Sequence, residues 1–436
     1  MRNGKNQYFR LTARRRRLRK NSLKIIRVFA IAVLFPVAHF FSASGCARHL
    51  SQGLEDWPFL IAYYDISYQD LCAPWVTEFS VIQPGMADRM QSYLQYQASL
   101  GSASSVGSTR LFGTVYSGNA KWEGGALAPN GKIYGARFGG GPTMPFLEID
   151  PNTLTTALVG PASNTGSGMV LLPSGLLLEI PHTGVMNPVL LNPNTGATTT
   201  LSGSNGGVAC SGGVLAPNGK VYCTAQSGTS GALEIDPVSG SVTIFGAAQL
   251  GLNYGGSAVL GLNGKIYAIP YAGTTQIAEI DPNTRGITLF GPSLTVNNYY
   301  GGILAPSGKI YLPGFTTSTI LEVDPIAHTV TSFGNTGGGS NYLGAAVAPN
   351  GHIYLTPRSS AVVLEFDPIT HTQTTFGSGW GAAVTAFDGG ILAPNGKIYA
   401  FPLTGSGNNQ QPLEIDPKAN GNYCPAVARS AYFNKF

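Results

Sequence analysis

The chain has 436 residues; Gly and Pro make up about one in five, 43% are hydrophobic and only 11% are charged. That balance excludes a disordered chain of low hydrophobicity, and Gly without a three-residue period excludes a collagen-like rod. Helix-interior costs of about 1 kcal/mol for Gly and 3 kcal/mol for Pro leave a turn-rich, strand-rich globular protein. The net charge of +5 comes from residues 1–27, which hold eleven bases and no acid. Beyond them 15 bases face 21 acids, a balance of −6, so the body has no basic excess with which to bind nucleic acid.

Residues 28–41 read VFAIAVLFPVAHFF, a fourteen-residue apolar run behind the basic flank. At 1.5 Å per residue it reaches about 21 Å, short of the roughly 30 Å hydrocarbon core of a bilayer. Residues 1–46 therefore read as a secretory leader, with the Arg-rich end inside and the body outside. Ala43-Ser44-Gly45-Cys46 resembles a bacterial lipoprotein lipobox, with Ala43 where that family prefers Leu. The resemblance implies lipidation at Cys46 and a place at the outer membrane, cell surface or periplasm. Plain cleavage and an uncleaved membrane anchor stay open beside it.

Residues 47–108 form an N-terminal extension and linker. Trp57, Tyr63, Tyr64 and Trp75 are too many aromatics for a free tether. Ala87–Leu100 has helical spacing through Met90, Leu94 and Ala98, and Gly101–Ser108 is a Gly/Ser linker. In an exported chain Cys72 and Cys424, both outside the repeats, can tie the flanks by a disulfide. Cys210 and Cys223 lie on one strand pair but out of register about Asn218-Gly219, which speaks against their pairing.

Between residues 109 and 417 the chain repeats itself. Gly-Gly-x-Leu-Ala-Pro-Asn-Gly-Lys-Ile-Tyr is followed by Leu-Glu-Ile-Asp-Pro and then Thr-x-Thr-x-Phe-Gly. The turn glycines are Gly131, Gly175, Gly219, Gly264, Gly308, Gly351 and Gly396, spaced by 44, 44, 45, 44, 43 and 45 residues. Such a period with four strand signals, a to d, predicts propeller blades. Asn-Gly supplies the a–b turn, with both residues expected at positive φ. Pro after the c-strand Asp ends that strand. The seventh a–b–c set ends at Asp416-Pro417 without a d strand, whereas Thr109–Gly113 is a d strand without a blade. The fold expected is an all-β, seven-bladed β-propeller of four-stranded blades, closed by the N-terminal strand as the outer strand of the last blade; residues 418–436 are a C-terminal tail.

A base after the turn Gly and a Glu in strand c occur together: Lys132/Glu148, Lys220/Glu234, Lys265/Glu279, Lys309/Glu322, His352/Glu365 and Lys397/Glu414. The second repeat has Leu176 and Leu190, losing both at once. This is the pattern of a cross-strand ion pair, since a lone buried charge is costly.

At Ala216-Pro217-Asn218-Gly219 with Tyr222, and Ile235-Asp236-Pro237 with Gly240, the chain resembles the NHL/YVTN-like propeller repeats and the streptogramin-lyase-like repeats among them. The resemblance covers about residues 109–417 and implies fold, because the matching residues make turns and pairings. The lyase relatives use a His and carboxylate metal centre; no comparable cluster matches here, and no catalytic residue carries over.

The a–b and c–d turns share one face and are uniform; the b–c and d–a loops share the other and vary, so recognition is expected on the variable-loop face. Trp122, Tyr299, Tyr342 and Phe387 stand nine residues before their turn Gly, Tyr254 ten before, with Asn253, Asn298 and Asn341 ahead of the tyrosines. Together with Tyr300 and Trp380 these rings are candidates for gripping a ligand at the channel mouth, or else wedges between blades. Glu123 and Asp388 follow Trp122 and Phe387; they read as a solvated pair, or alternatively as ligands of Ca²⁺ or Mg²⁺. His328 and His371 share a c–d turn position and are expected to be solvated or capping. The reading is a binding module for an unidentified protein or glycan, without cofactor and without nucleic acid. The alternative is a lyase- or lactonase-type propeller enzyme with a metal near Glu123 and Asp388; a structural envelope protein with no small ligand is a third reading.

Overall fold

The computed structural model describes residues 107–417, except 117–121, 139–142, 295–298, 381–386, 404–410 and the single positions 253, 256, 272, 274, 306, 349, 379 and 394. The leader with Cys46, the extension with Cys72 and the tail with Cys424 lie outside the described residues. Among those described, no helix is long and apolar enough to cross a membrane.

Seven four-stranded antiparallel sheets follow one another around a ring. Blade 1 has strands a to d at Trp122–Leu127, Ile133–Arg137, Met144–Asp150 and Thr155–Ser163. The inner a strands of successive blades pack together, and that of blade 7 (Phe387–Leu392) meets that of blade 1. The ring closes as its strand count demands. Ser108–Leu111 pairs antiparallel with Leu413–Asp416, Thr109 opposite Ile415, as the fourth strand of blade 7. This leaves no open seam between the chain's two ends.

The a–b turn differs in detail from the expected Asn-Gly geometry. The Gly131 amide donates to the Ala128 carbonyl at 3.0 Å and φ of Gly131 is +80°, while Asn130 is not at positive φ. Pro129-Asn130 thus forms a type I turn and Gly131 takes the left-handed bulge after it. The Asn side chain is spent on a bond instead: its Oδ1 accepts the Lys132 amide.

The buried hydrophobic residues gather in three clusters, each spanning more than one blade, with Tyr134, Tyr222, Tyr267, Tyr311, Tyr354 and Tyr399 of the b strands among the largest buried side chains. Blade 3 adds a short ribbon, Val208–Ala209 with Ser227–Gly228. There Cys210 and Cys223 do form a disulfide, with Cα atoms 6.0 Å apart. The expected misregister assumed a straight strand a. The ladder keeps one register on both sides but is interrupted over residues 210–213, with Gly212 at φ +117°, and across this break Cys210 reaches Cys223 diagonally.

Candidate functional site

Two groups of carboxylates occupy the two ends of the ring. On the uniform-turn face the repeated Glu sits directly opposite the b-strand Tyr, not opposite Lys (Tyr134↔Glu148, Tyr222↔Glu234, Tyr311↔Glu322). Lys, one residue before the strand, reaches the same carboxylate diagonally: Lys309 Nζ at 2.6 Å from Glu322, Lys397 at 3.0 Å from Glu414, and His352 at 2.6 Å from Glu365. Blade 4 departs from the expected pairing. Lys265 bonds Asp281, and Glu279 takes Tyr267 and His328 instead.

The Tyr hydroxyl also lies against the next blade. Tyr134 is 2.7 Å from the Pro193 carbonyl, Tyr222 2.8 Å from Pro282, Tyr311 2.8 Å from Pro368 and Tyr399 3.2 Å from Pro151. In return the fifth residue of several c–d turns, at positive φ, reaches back: Arg285 to Glu234, His328 to Glu279 at 3.0 Å, His371 to Glu322 at 2.9 Å. The two histidines remain solvent-exposed at 44% and 37%, and they are also inter-blade ties that stack on Phe290 and Phe333. Arg285, with Lys220 and Tyr222, outweighs burial and holds Glu234 down at about 2. Burial pushes Glu322 up, but Lys309, Tyr311 and His371 together bring it below the usual range. Blade 2 lacks the whole device, with Leu178 opposite Leu190. These carboxylates are structural.

At the variable-loop end the logic reverses. Glu123 and Asp388 are 4% and 2% exposed, so they are not a solvated pair. Both Asp388 oxygens accept backbone amides, Gly124 at 2.9 Å and Gly389 at 2.6 Å. Gly124 and Gly389 sit at positive φ on inner-strand bulges, a rung that five further blades occupy with Gly168, Gly212, Ser257, Gly301 and Gly344. From blade 5 Tyr300 crosses the axis, and its hydroxyl donates to Glu123 at 2.6 Å. Burial, then the charge of Glu123, raises Asp388 to about 7 against the opposing amides and Arg358. Burial raises Glu123 as well, opposed by Tyr300, Ser167 and Arg358. Burial and Glu123 push Tyr300 well above its ordinary value.

The seven residues that follow strand b, seven beyond each turn Gly, complete the mouth: Phe138, His182, Gln226, Tyr271, Phe315, Arg358 and Leu403. All but Leu403 are partly exposed. Tyr271, Tyr300 and Phe315 form a row with ring centroids 5.5 Å apart at each step, and the Arg358 guanidinium lies 4.9 Å over Phe315. Ser211 donates to Gln226 at 2.5 Å, and His182 Nδ1 is 2.7 Å from the Cys210 carbonyl. Between blades 1 and 2, Arg137 and Glu179 make a bidentate ion pair with both side chains buried.

The aromatics singled out by spacing lie behind this surface. Trp122, Tyr254, Tyr299, Tyr342, Trp380 and Phe387 are each at most 4% exposed. Trp122 Nε1 donates to the Pro145 carbonyl, Tyr254 bonds Thr275, Tyr299 bonds Thr319, Tyr342 accepts from Ser360 and Trp380 donates to the Ser360 carbonyl. Asn341 caps the blade 6 loop, accepting the amides of Arg358, Ser359 and Ser360, whereas Asn253 and Asn298 lie outside the described residues. Only Tyr300 of that set reaches the mouth. The missed residues had a legible signal: the position seven beyond the turn Gly varies widely where its neighbours on strand b are nearly constant.

No family model and no curated protein matches the chain. Among solved structures a streptogramin B lyase superposes with TM-score 0.56 at 11% identity, over 71% of this chain and 97% of that one. Virginiamycin B lyase from Staphylococcus aureus gives 0.55 at 11% identity, over 71% and 98%. The extracellular domain of a hybrid two-component system from B. thetaiotaomicron gives 0.50 at 11% identity, over 71% and 42%. The chain shares the seven-bladed β-propeller of the streptogramin B lyases, and at these identities the likeness is one of fold.

Proposed function

We propose that the protein is a non-catalytic recognition module, exported and lipid-anchored through Cys46, that binds a protein or glycan with the variable-loop face of its propeller. One observation carries this reading: a partly exposed row of Tyr271, Tyr300, Phe315 and Arg358 stands over buried Glu123 and Asp388. Apolar faces beside a few convergent polar groups are the ordinary composition of a binding pocket. A combined protein and glycan array tests it. Binding that falls in Tyr271→Ala and Phe315→Ala supports the reading; binding unchanged in both removes it. Fatty-acid labelling compared with Cys46→Ser tests the anchor.

The near-neutral titration of Asp388 favours a second reading, a lyase- or lactonase-type enzyme, because a general acid works best with a pKa near the operating pH. The residues fit its Ca²⁺ or Mg²⁺ poorly. Asp388 already accepts two amides and Glu123 one hydroxyl, and among the described residues no three His, Cys, Asp or Glu gather as a metal site. A stoichiometric divalent ion in the purified protein, lost in Glu123→Ala/Asp388→Ala, would decide for the enzyme.

A further inference from the structure

The mouth holds polar groups that the chain itself does not use. Arg358 Nε and the hydroxyls of Ser167, Ser257 and Thr356 are buried without a hydrogen-bond partner among the described residues. All four sit where an a strand begins or a b strand ends, at the variable-loop end of the ring. The only other such atom among the described residues, Gln373 Nε2, is on an outer strand. Ser167 faces the Glu123 carboxyl without meeting it in a hydrogen bond of proper geometry. Ser257 is more telling: it stands at φ +78° on the rung where the other blades have Gly, so a side chain is kept there at a conformational cost. A buried polar group left unpaired costs about 1–3 kcal/mol, and four of the five such atoms among the described residues gather at this one end of the ring.

The charges narrow the ligand. An anion would meet Glu123 and Asp388, and a cation would meet Arg358. A neutral molecule rich in hydroxyls meets neither objection. Its hydroxyls donate to a carboxylate and accept from a guanidinium, and its C–H face stacks on an aromatic ring. Resting on the recognition reading above, we propose that the channel mouth is a glycosyl site: a sugar ring packs among the mutually tilted rings of Tyr271, Tyr300 and Phe315, its hydroxyls bonding Arg358 Nε, Ser167 and Glu123.

Saturation-transfer NMR with the full chain tests this, using the methyl glycosides of glucose, galactose, N-acetylglucosamine and rhamnose, and cellobiose, each at millimolar concentration. At least one is expected to bind, with affinity lowered about tenfold or more in Phe315→Ala and in Arg358→Met, the loss of roughly one well-made hydrogen bond or stacking contact. Val238→Ser on the opposite face is expected to bind as the parent does. If Phe315→Ala does not fold, Arg358→Met and Tyr271→Ala carry the test. No binding by any of the five overturns the glycosyl site; a protein hit on the array would then leave the recognition reading standing. Binding that survives both mouth variants also overturns it, since the sugar would sit elsewhere.

Discussion

The two ends of the ring use the same functional group in opposite ways. On the uniform-turn face the repeated Glu of six blades accepts a Tyr hydroxyl and a Lys or His, Glu234, Glu279 and Glu322 also bond a residue of the next blade, and Glu234 is held at about 2. At the channel mouth Glu123 and Asp388 are buried beside each other with amides, one hydroxyl and a distant Arg358, and Asp388 rises to about 7. The first arrangement repays burial and repeats from blade to blade; the second does not repay it and occurs once. Position within the blade, not residue type, sets whether these two groups of acids find a cation to pair with.

The largest test of that contrast is the ion pair that breaks it. Arg137–Glu179 is at the mouth end yet fully paired and buried. Glu179→Gln should cost about 3–5 kcal/mol in urea unfolding, because Arg137 is left buried without its partner. A loss under about 1 kcal/mol would show that this end tolerates unmatched charge generally. Next comes pH. Asp388 titrates near 3.8 unfolded and about 7 folded, so the folded state holds the extra proton between them. Raising pH through that window therefore destabilises the fold, by at most ~4 kcal/mol shared with Glu123. Asp388→Asn should flatten this slope; an unchanged slope assigns it to other groups.

Glu234 has the opposite sign. Its stabilisation is present above 4.5 and is lost as pH falls toward 2. Since Lys220 and Arg285 are partly exposed, Glu234→Gln should cost only about 1–2 kcal/mol, read by thermal unfolding at neutral pH. The smallest effect is a gain. Ser257→Gly should stabilise by about 1 kcal/mol by relieving positive φ, read by thermal unfolding. Destabilisation in that variant would mean that the Ser257 hydroxyl supports the fold.

The repeat period and its local signals were enough for the blade count, the turn positions and the closure. Asn-Gly, Asp-Pro and alternating Thr-x-Thr-x-Phe are local signals that act within a few residues, and the missing seventh d strand is bookkeeping on one period. The repeats also exposed the Lys–Glu covariation, though not that Tyr stands between them. What meets across the axis is set by the assembled ring: Tyr300 and Glu123 are 177 residues apart, and nothing in either repeat specifies the other. The ring also turned Trp122, Tyr254 and Tyr299 inward and left Tyr271, Phe315 and Arg358 outward, and the break in the blade 3 ladder lets Cys210 reach Cys223. Periodicity fixes each blade's own geometry. What seven slightly different blades present at their shared centre depends on the rotation between them, which no single repeat encodes.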